Sequence, residues 1–405
     1  MTWLDLPADT TFGIHNLPYG IFSTAPHGHD RRIGVAIGPY VLDIAALAAD
    51  LRLHVADIFA EQTLNRFMAQ GPTTWSEVRQ RITDWLVSPA HRAAVLPHLI
   101  RRDNVQLHLP VSVADYVDFY ASQHHAENLG RIFRPDSAPL TPNWKHLPIG
   151  YHGRAGTIVV SGTDVVRPCG QRKALAASEP AFGPSQRLDI EAEVGFLVGT
   201  PSKLGAPVPV TDFATHVFGV CLVNDWSARD IQSWEYVPLG PFLGKSFATS
   251  ISPWIVPLDA LQHARVQPPP RDPAPLPYLR DVEPWALDIT LEVRLNGQLI
   301  SRPPYAAMYW TPAQMLAHMT AGGASLRTGD LYASGTVSGS ATNQRGSLIE
   351  LSWGGTEPLT LPDGTQRTFL LDGDEVTLTA NAPGPHGRTI GFGEVRGRIV
   401  SSVSA

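Results

Sequence analysis

At 405 residues the chain is longer than one ordinary hydrophobic core requires, and its length predicts two or three compact units. Hydrophobic residues at 43% and charged residues at 17% exclude a disordered chain, and no stretch is apolar for long enough to span a bilayer; a net charge of -6 gives no basic field for nucleic acid or an anionic membrane, so a small-molecule partner is expected. The 2 cysteines, Cys169 and Cys221, are too few for a disulfide scaffold or a zinc site, and MTWLDLPADTTFG lacks the basic-then-apolar order of a secretion signal, so a reducing cytoplasm is the expected location.

The 35 Gly and 36 Pro are spread along the chain, which disfavours long helices and predicts a mainly β fold of short strands and tight turns. YGIFST and IGVAIGPYVLDI are β-branched and aromatic runs broken by Gly and Pro, as a small N-terminal barrel needs. A helical insert follows, in which Trp75, Val78, Ile82, Trp85 and Leu86 recur at helical spacing and Thr74 with Glu77 offers a capping box. Near residue 110 the pattern changes to a long region of strands, from TIVVSG through VFGVCLVND to IGFGEVRGRIV, so the expected domains are 1–110 and 111–405. VQPPPRDPAPLP, at Val266 to Pro277, reads as a stiff extended crossing within the second domain.

Residues with chemical potential appear in this second region. In DYVDFYASQHHAENLGRIFR, Asp118 precedes His125 by seven residues, so a continuous helix would bring an acid and a base to one side; His124 competes for the role. NWKHLPIGYHGRAGTIVVSG places Tyr151 and Arg154 on a Gly-rich turn. In LDIEAEVGF, Asp189, Glu191 and Glu193 share one face of a strand, with the two glutamates about 7 Å apart. Either water solvates that face or a cation binds it. VFGVCLVNDWSARDIQSWEY runs from a strand to Asp225 and, if then helical, presents Asp225, Arg229, Gln232 and Tyr236 on one side. That pattern is either a capped helix with an Asp225–Arg229 ion pair or a polar face for a metal and an oxygen-rich ligand.

GPFLGKS resembles a phosphate loop but encloses three residues between Gly240 and Gly244, where the loop needs four, so Lys245 is not a phosphate-loop lysine. GDLYASGTVSGS and GSLIELSWGG contribute Thr336 in a Gly/Ser loop and Glu350 in an alternating strand. Taken together, Asp118, Glu191, Glu193 and Asp225 are oxygen donors without a Cys or His cluster, which points to a hard cation: Mg²⁺, Ca²⁺ or Mn²⁺.

These segments, with FGIHNLPYGIFS, VPLGPFLGKSFATSISPW and FLLDGDEV, closely resemble the fumarylacetoacetase (fumarylacetoacetate hydrolase) family in the same order over most of the chain. The resemblance implies an SH3-like N-terminal barrel, a C-terminal mixed β-roll and a homodimer. It implies metal-dependent hydrolysis of the carbon–carbon bond of 4-fumarylacetoacetate to fumarate and acetoacetate, the last step of tyrosine and phenylalanine (homogentisate) catabolism. By motif position it places metal carboxylates on Asp118, Glu191, Glu193 and Asp225, the base on His125 and its orienting carboxylate on Glu350. Substrate contacts fall on Tyr120, Arg134, Tyr151, Gln232, Tyr236 and Thr336, and cationic groups on Arg229 and Lys245. A second cation site falls on Asp225, Lys245 and Thr249, with Lys245 contributing its backbone oxygen because an ammonium cannot ligate a metal. The doubled His of QHHA and the linker from Arg131 and Ser137 to Trp144 depart from the family pattern. Two other readings stay open: a related acylpyruvate hydrolase, decarboxylase or isomerase, and a structural calcium site in a β-rich binding protein.

Overall fold

The structure is a computed structural model and describes residues 2–24, 30–53, 55–174 and 176–403. Its mainly β character follows the sequence, and one thirteen-stranded mixed sheet organises the molecule. In chain order its strands are β1 (Tyr19–Ser23), β2 (Arg32–Ile37), β3 (Tyr40–Asp43), β4 (Leu99–Arg101), β5 (Gln106–His108), β6 (Tyr116–Phe119), β7 (Gly150–His152), β8 (Ile158–Val160), β9 (Ala192–Val198), β10 (Val217–Asp225), β11 (Thr249–Ile251), β12 (Trp254–Pro257) and β13 (Leu331–Ala333). They run β4-β3-β2-β1-β12-β10-β9-β13-β6-β7, with β11 joining β10 to β8 and β5 joining β1. A second, five-stranded sheet is built on Thr290–Leu295, Glu375–Pro383 and Thr389–Val400.

The small N-terminal barrel expected from YGIFST and IGVAIGPYVLDI does not close among the described residues. One edge of β1 pairs with β2, and the other is shared by β12 and β5, so the strand that would complete a barrel is stitched into the large sheet instead. The helical insert forms as Pro72–Val87 and buries the expected Trp75, Val78, Ile82, Trp85 and Leu86. Its start differs from the predicted capping box: Pro72 occupies the first turn after Gly71, where its missing N–H costs nothing, so Thr74 and Glu77 already lie inside the helix.

Strand alternation divides the core between the two faces of the sheet. On β9, Val194, Phe196 and Val198 join the cluster shared with the second sheet, whereas Leu197 joins the N-terminal cluster of Tyr19, Val35, Trp75 and Phe218. Tyr116 of β6 and Cys221 and Val223 of β10 also belong to that second cluster. The same alternation puts Asp118, Glu193 and Asp225 on the Tyr116, Leu197 and Val223 side, so one sheet face turns from apolar to acidic along three strands. No described helix is long and apolar enough to cross a membrane.

Candidate active site and metal centre

Strand register brings the acids together. Glu193 lies on β9 opposite Val223, Asp225 ends β10, and Asp118 is the penultimate residue of β6, beside Ala333. Glu191 sits in the short break before β9, and the Asp225 amide donates to its carbonyl at 3.2 Å. One oxygen from each of Asp118, Glu191, Glu193 and Asp225 lies within 4.8 Å of the others. All four residues are buried, at 3%, 5%, 0% and 0% exposure, which rejects the solvated-face reading of Glu191 and Glu193.

The helix Gln123–Phe133 starts only after Ser122, whose side chain caps it by accepting from the His125 amide at 3.3 Å. The expected continuous helix from Asp118 to His125 is therefore absent: Asp118 belongs to a strand, and the turn between β6 and the helix brings both residues to the wall of one cavity. Likewise, the helix Arg229–Glu235 begins four residues after Asp225, and Arg229 pairs with Asp189 and Glu191, not with Asp225. Glu350 lies in a single helical turn, Leu348–Leu351, where an alternating strand was expected; Asp189 accepts from the Leu348 and Ile349 amides and holds that turn.

His125 Nδ1 lies 2.7 Å from Glu350 Oε2. Glu350 also accepts from Asn128 Nδ2 at 2.9 Å, Ser338 Oγ at 2.9 Å and Ser347 Oγ at 2.7 Å. Burial alone would raise its pKa, but His125, Asn128 and Ser347 together hold it below the usual glutamate value. An ionised carboxylate only accepts, so His125 carries its proton on Nδ1 and leaves Nε2 as a base.

Cations gather on the other side. Arg229 places Nε 2.9 Å from Asp189 Oδ2, Nη2 2.5 Å from Glu191 Oε1 and Nη1 3.2 Å from Gln232 Oε1. Lys245 Nζ contacts Glu191 and Asp225 and donates to Ser227 Oγ at 2.9 Å. The Gly240–Lys245 loop reaches this position because Gly244 packs against the helix: a Cβ there would lie 2.8 Å from the Gln232 amide. Desolvation opposes the Glu191 charge, yet Arg229 and Lys245 overcome it and bring its pKa down to about 2. Asp118 and Glu193 are pushed well above the carboxylate range by burial and by neighbouring acids.

The site residues surround a cavity of about 440 Å³. Of the residues expected from sequence, Asp118, Tyr120, His125, Arg134, Tyr151, Glu191, Arg229, Gln232, Tyr236, Lys245 and Thr336 line its wall. Glu193, Asp225, Thr249 and Glu350 stand behind it. Thr249 Oγ1 donates to Asp225 Oδ1 at 2.6 Å, and Tyr151 Oη donates to Asp225 Oδ2 at 3.0 Å. Tyr120 sets its ring edge-on to His125, with centroids 5.4 Å apart. Arg134 ends the His125 helix and donates to the Pro139 carbonyl at 3.2 Å. His124 is half-buried and is not among the cavity-lining residues. Sequence reasoning missed Asn128, Ser338 and Ser347; the only available signal was the Ser-x-x-Glu spacing of Ser347 and Glu350.

The donor set fits a divalent cation. Asp118 Oδ1 and both Glu193 oxygens are buried without a hydrogen-bond partner, which costs free energy unless a cation or proton meets them. Oxygen-only ligands suit a hard ion.

The family model for the fumarylacetoacetate (FAA) hydrolase C-terminal region matches residues 115–400, and that for the fumarylacetoacetase N-terminal region matches 15–110. The fumarylacetoacetase of Homo sapiens is 46% identical over 420 residues, covering 100% of this chain and 99% of its own. The Arabidopsis thaliana fumarylacetoacetase is also 46% identical, covering 99% and 98%. Among solved structures, a fumarylacetoacetate hydrolase from Exiguobacterium antarcticum shares the fold at a TM-score of 0.56 and 18% identity, covering 95% of this chain and 99% of that one. Two family models in tandem, and relatives matched along their whole length, show that this chain belongs to the fumarylacetoacetate hydrolase family.

Proposed function

We propose that this chain is a fumarylacetoacetase: it hydrolyses 4-fumarylacetoacetate to fumarate and acetoacetate, the last step of tyrosine and phenylalanine catabolism by way of homogentisate. The observation that carries this reading is a His125–Glu350 pair and a four-carboxylate cluster at one cavity, in a chain 46% identical to named fumarylacetoacetases over its whole length. A structural calcium site gives no reason for an oriented base beside it.

His125 Nε2 takes a proton from water, and the hydroxide adds to the carbonyl next to the fumaryl group. Arg229, Gln232 and Lys245 hold the resulting oxyanion, a contribution for which losing one donor costs about a hundredfold or more in rate. The carbon–carbon bond then breaks; its electron pair leaves on the acetoacetate fragment as an enolate, which takes back the proton at carbon from protonated His125. Arg134 and Tyr120 bind the terminal carboxylate, while Tyr151, Tyr236 and Thr336 shape the rest of the pocket. Asp118, Glu191, Glu193 and Asp225 would hold Mg²⁺, Ca²⁺ or Mn²⁺, whose positive charge favours the enolate form of a 1,3-dicarbonyl. A second cation site at Asp225, Lys245 and Thr249 belongs to the same reading.

We take residues 1–110 as an SH3-like unit, here opened into the large sheet, and 111–405 as the catalytic β-roll; the two family-model boundaries support that division. A homodimer is supported by Val237, Leu239 and Phe242 beside the cavity mouth, which are 67%, 97% and 63% exposed and need a cover. A cytoplasmic location fits two free thiols. The test follows loss of fumarylacetoacetate by the purified protein, before and after chelation and after adding back Mg²⁺, Ca²⁺ or Mn²⁺ singly. Turnover that chelation stops and one metal restores is expected. No turnover with any metal overturns the reading.

A further inference from the structure

Asp189 shares the strand run of Glu191 and Glu193 but stands outside the four-carboxylate cluster. Its carboxylate is fully buried and accepts four hydrogen bonds. Oδ1 takes the amides of Ile190 at 2.8 Å and Leu348 at 2.7 Å, and Oδ2 takes Arg229 Nε at 2.9 Å and the Ile349 amide at 3.1 Å. One group therefore grips both the cationic arm of the site and the turn that carries the base's partner.

The turn needs such a grip. Leu348–Leu351 is four residues long, too short to hold its own register in isolation. The residue that would normally cap it, Ser347, makes no capping bond because its hydroxyl donates to Glu350 Oε2. Asp189 replaces it by accepting from the first two amides of the turn. The same carboxylate fixes Arg229 through Nε, which leaves Nη1 directed to Gln232 in the cavity wall and Nη2 to Glu191.

We propose that Asp189 is a positioning residue that locks Arg229 and the Glu350 turn into one rigid unit, and so sets the oxyanion-binding guanidinium in register with the His125 base. This inference rests on the hydrolase reading for its effect on rate, but its geometric content can be read without turnover.

The test uses Asp189→Asn and Arg229→Lys in the full chain loaded with Mn²⁺ for kinetics and with Mg²⁺ for proton NMR. The asparagine keeps one acceptor but turns an NH₂ toward Arg229 Nε and the Ile349 amide; the lysine keeps the positive charge but loses the Nε tether. Turnover of Asp189→Asn should fall about a hundredfold, because small misplacements of reacting groups carry costs of that order. Its KM should stay within about threefold and Mn²⁺ affinity should be unchanged, separating positioning from loss of binding. The His125 Nδ1 proton, identified by its loss in His125→Asn, should move in both variants, although neither side chain hydrogen-bonds to His125 or to the Glu350 carboxylate. A folded Asp189→Asn with turnover within about threefold of wild type overturns the proposal. So does an unmoved His125 proton in Arg229→Lys, a variant that decides the matter even where Asp189→Asn does not fold. Failure of wild-type turnover would remove the hydrolase reading and leave the proton resonance to judge the tether.

Discussion

His125 and Glu350 lie 225 positions apart in the chain and 2.7 Å apart in space, and that contact fixes which imidazole nitrogen can act. The glutamate is fully buried and also accepts from Asn128, Ser338 and Ser347, so it orients the ring and is shut off from proton exchange with solvent. His125→Ala is therefore expected to lower kcat by about 10²- to 10⁴-fold while Mn²⁺ binding persists. A steady-state assay with calorimetric metal titration checks both parts; near-normal turnover would refute the assignment.

Glu350 also gives a sign for acid stability. Its folded pKa is depressed below the ordinary 4.5, so its contribution is present above that value and is lost as pH falls through the depressed one. Urea unfolding should show wild type losing stability as pH falls below about 4.5, with Glu350→Gln less stable at neutrality but shallower in slope there. Equal slopes in the two proteins would show that the carboxylate is not held ionised.

The metal centre predicts proton release. Burial and neighbouring acids keep Asp118 and Glu193 protonated well above the usual carboxylate range when no cation is present. Cation binding must expel those protons, so affinity should rise with pH. Calorimetry of Mn²⁺ binding at one pH in buffers of different ionisation enthalpy reads the proton count; an identical heat in every buffer would contradict it.

What the sequence made legible, and what it hid, has a physical pattern. The period-two alternation of LDIEAEVGF put Glu191 and Glu193 on one side, and the register of β9 against β10 could then bring Asp225 to them. The apolar face that makes such a strand buried was visible, but the burial of its polar face was not, because β6, whose end carries Asp118, reaches it only across β13. The strand expectation for Glu350 came from the alternation of IELSW; its turn is instead held by Asp189, a contact from 159 residues away. That the N-terminal strands do not close into a barrel among the described residues has a similar reason, since a local strand pattern cannot show that β12 will claim the edge of β1.

Lys245 separates charge from catalysis. Its ammonium sits between Glu191 and Asp225 at 4% exposure, and both carboxylates hold its pKa far above the ordinary lysine value despite desolvation. Lys245→Met removes a positive neighbour of the cation, so Mn²⁺ should bind more tightly while kcat falls about a hundredfold. In chelated protein the same change leaves Asp225 without a cationic partner and Glu191 with Arg229 alone, and should cost about 3–5 kcal/mol. Thermal unfolding with and without Mn²⁺ checks the pair of effects; weaker Mn²⁺ binding would sink this account.

Gly130 tests whether Arg134 is aimed by packing. The His125 helix passes so close to the following segment that a Cβ at Gly130 would lie 1.9 Å from the Pro139 carbonyl oxygen and 2.6 Å from its carbon. Both atoms are backbone and cannot rotate away. Helix propensity favours alanine here by about 1 kcal/mol, whereas overpacking costs about 1–3 kcal/mol, so the clash should win and Gly130→Ala should destabilise. Relief requires moving Pro139, the carbonyl to which Arg134 donates, and that displacement re-aims the guanidinium assigned to the substrate carboxylate. KM should rise severalfold with a smaller change in kcat, since the proposed base and oxyanion donors sit on other contacts. A stabilised Gly130→Ala with unchanged KM would mean that the 134–144 segment yields freely and does not aim Arg134.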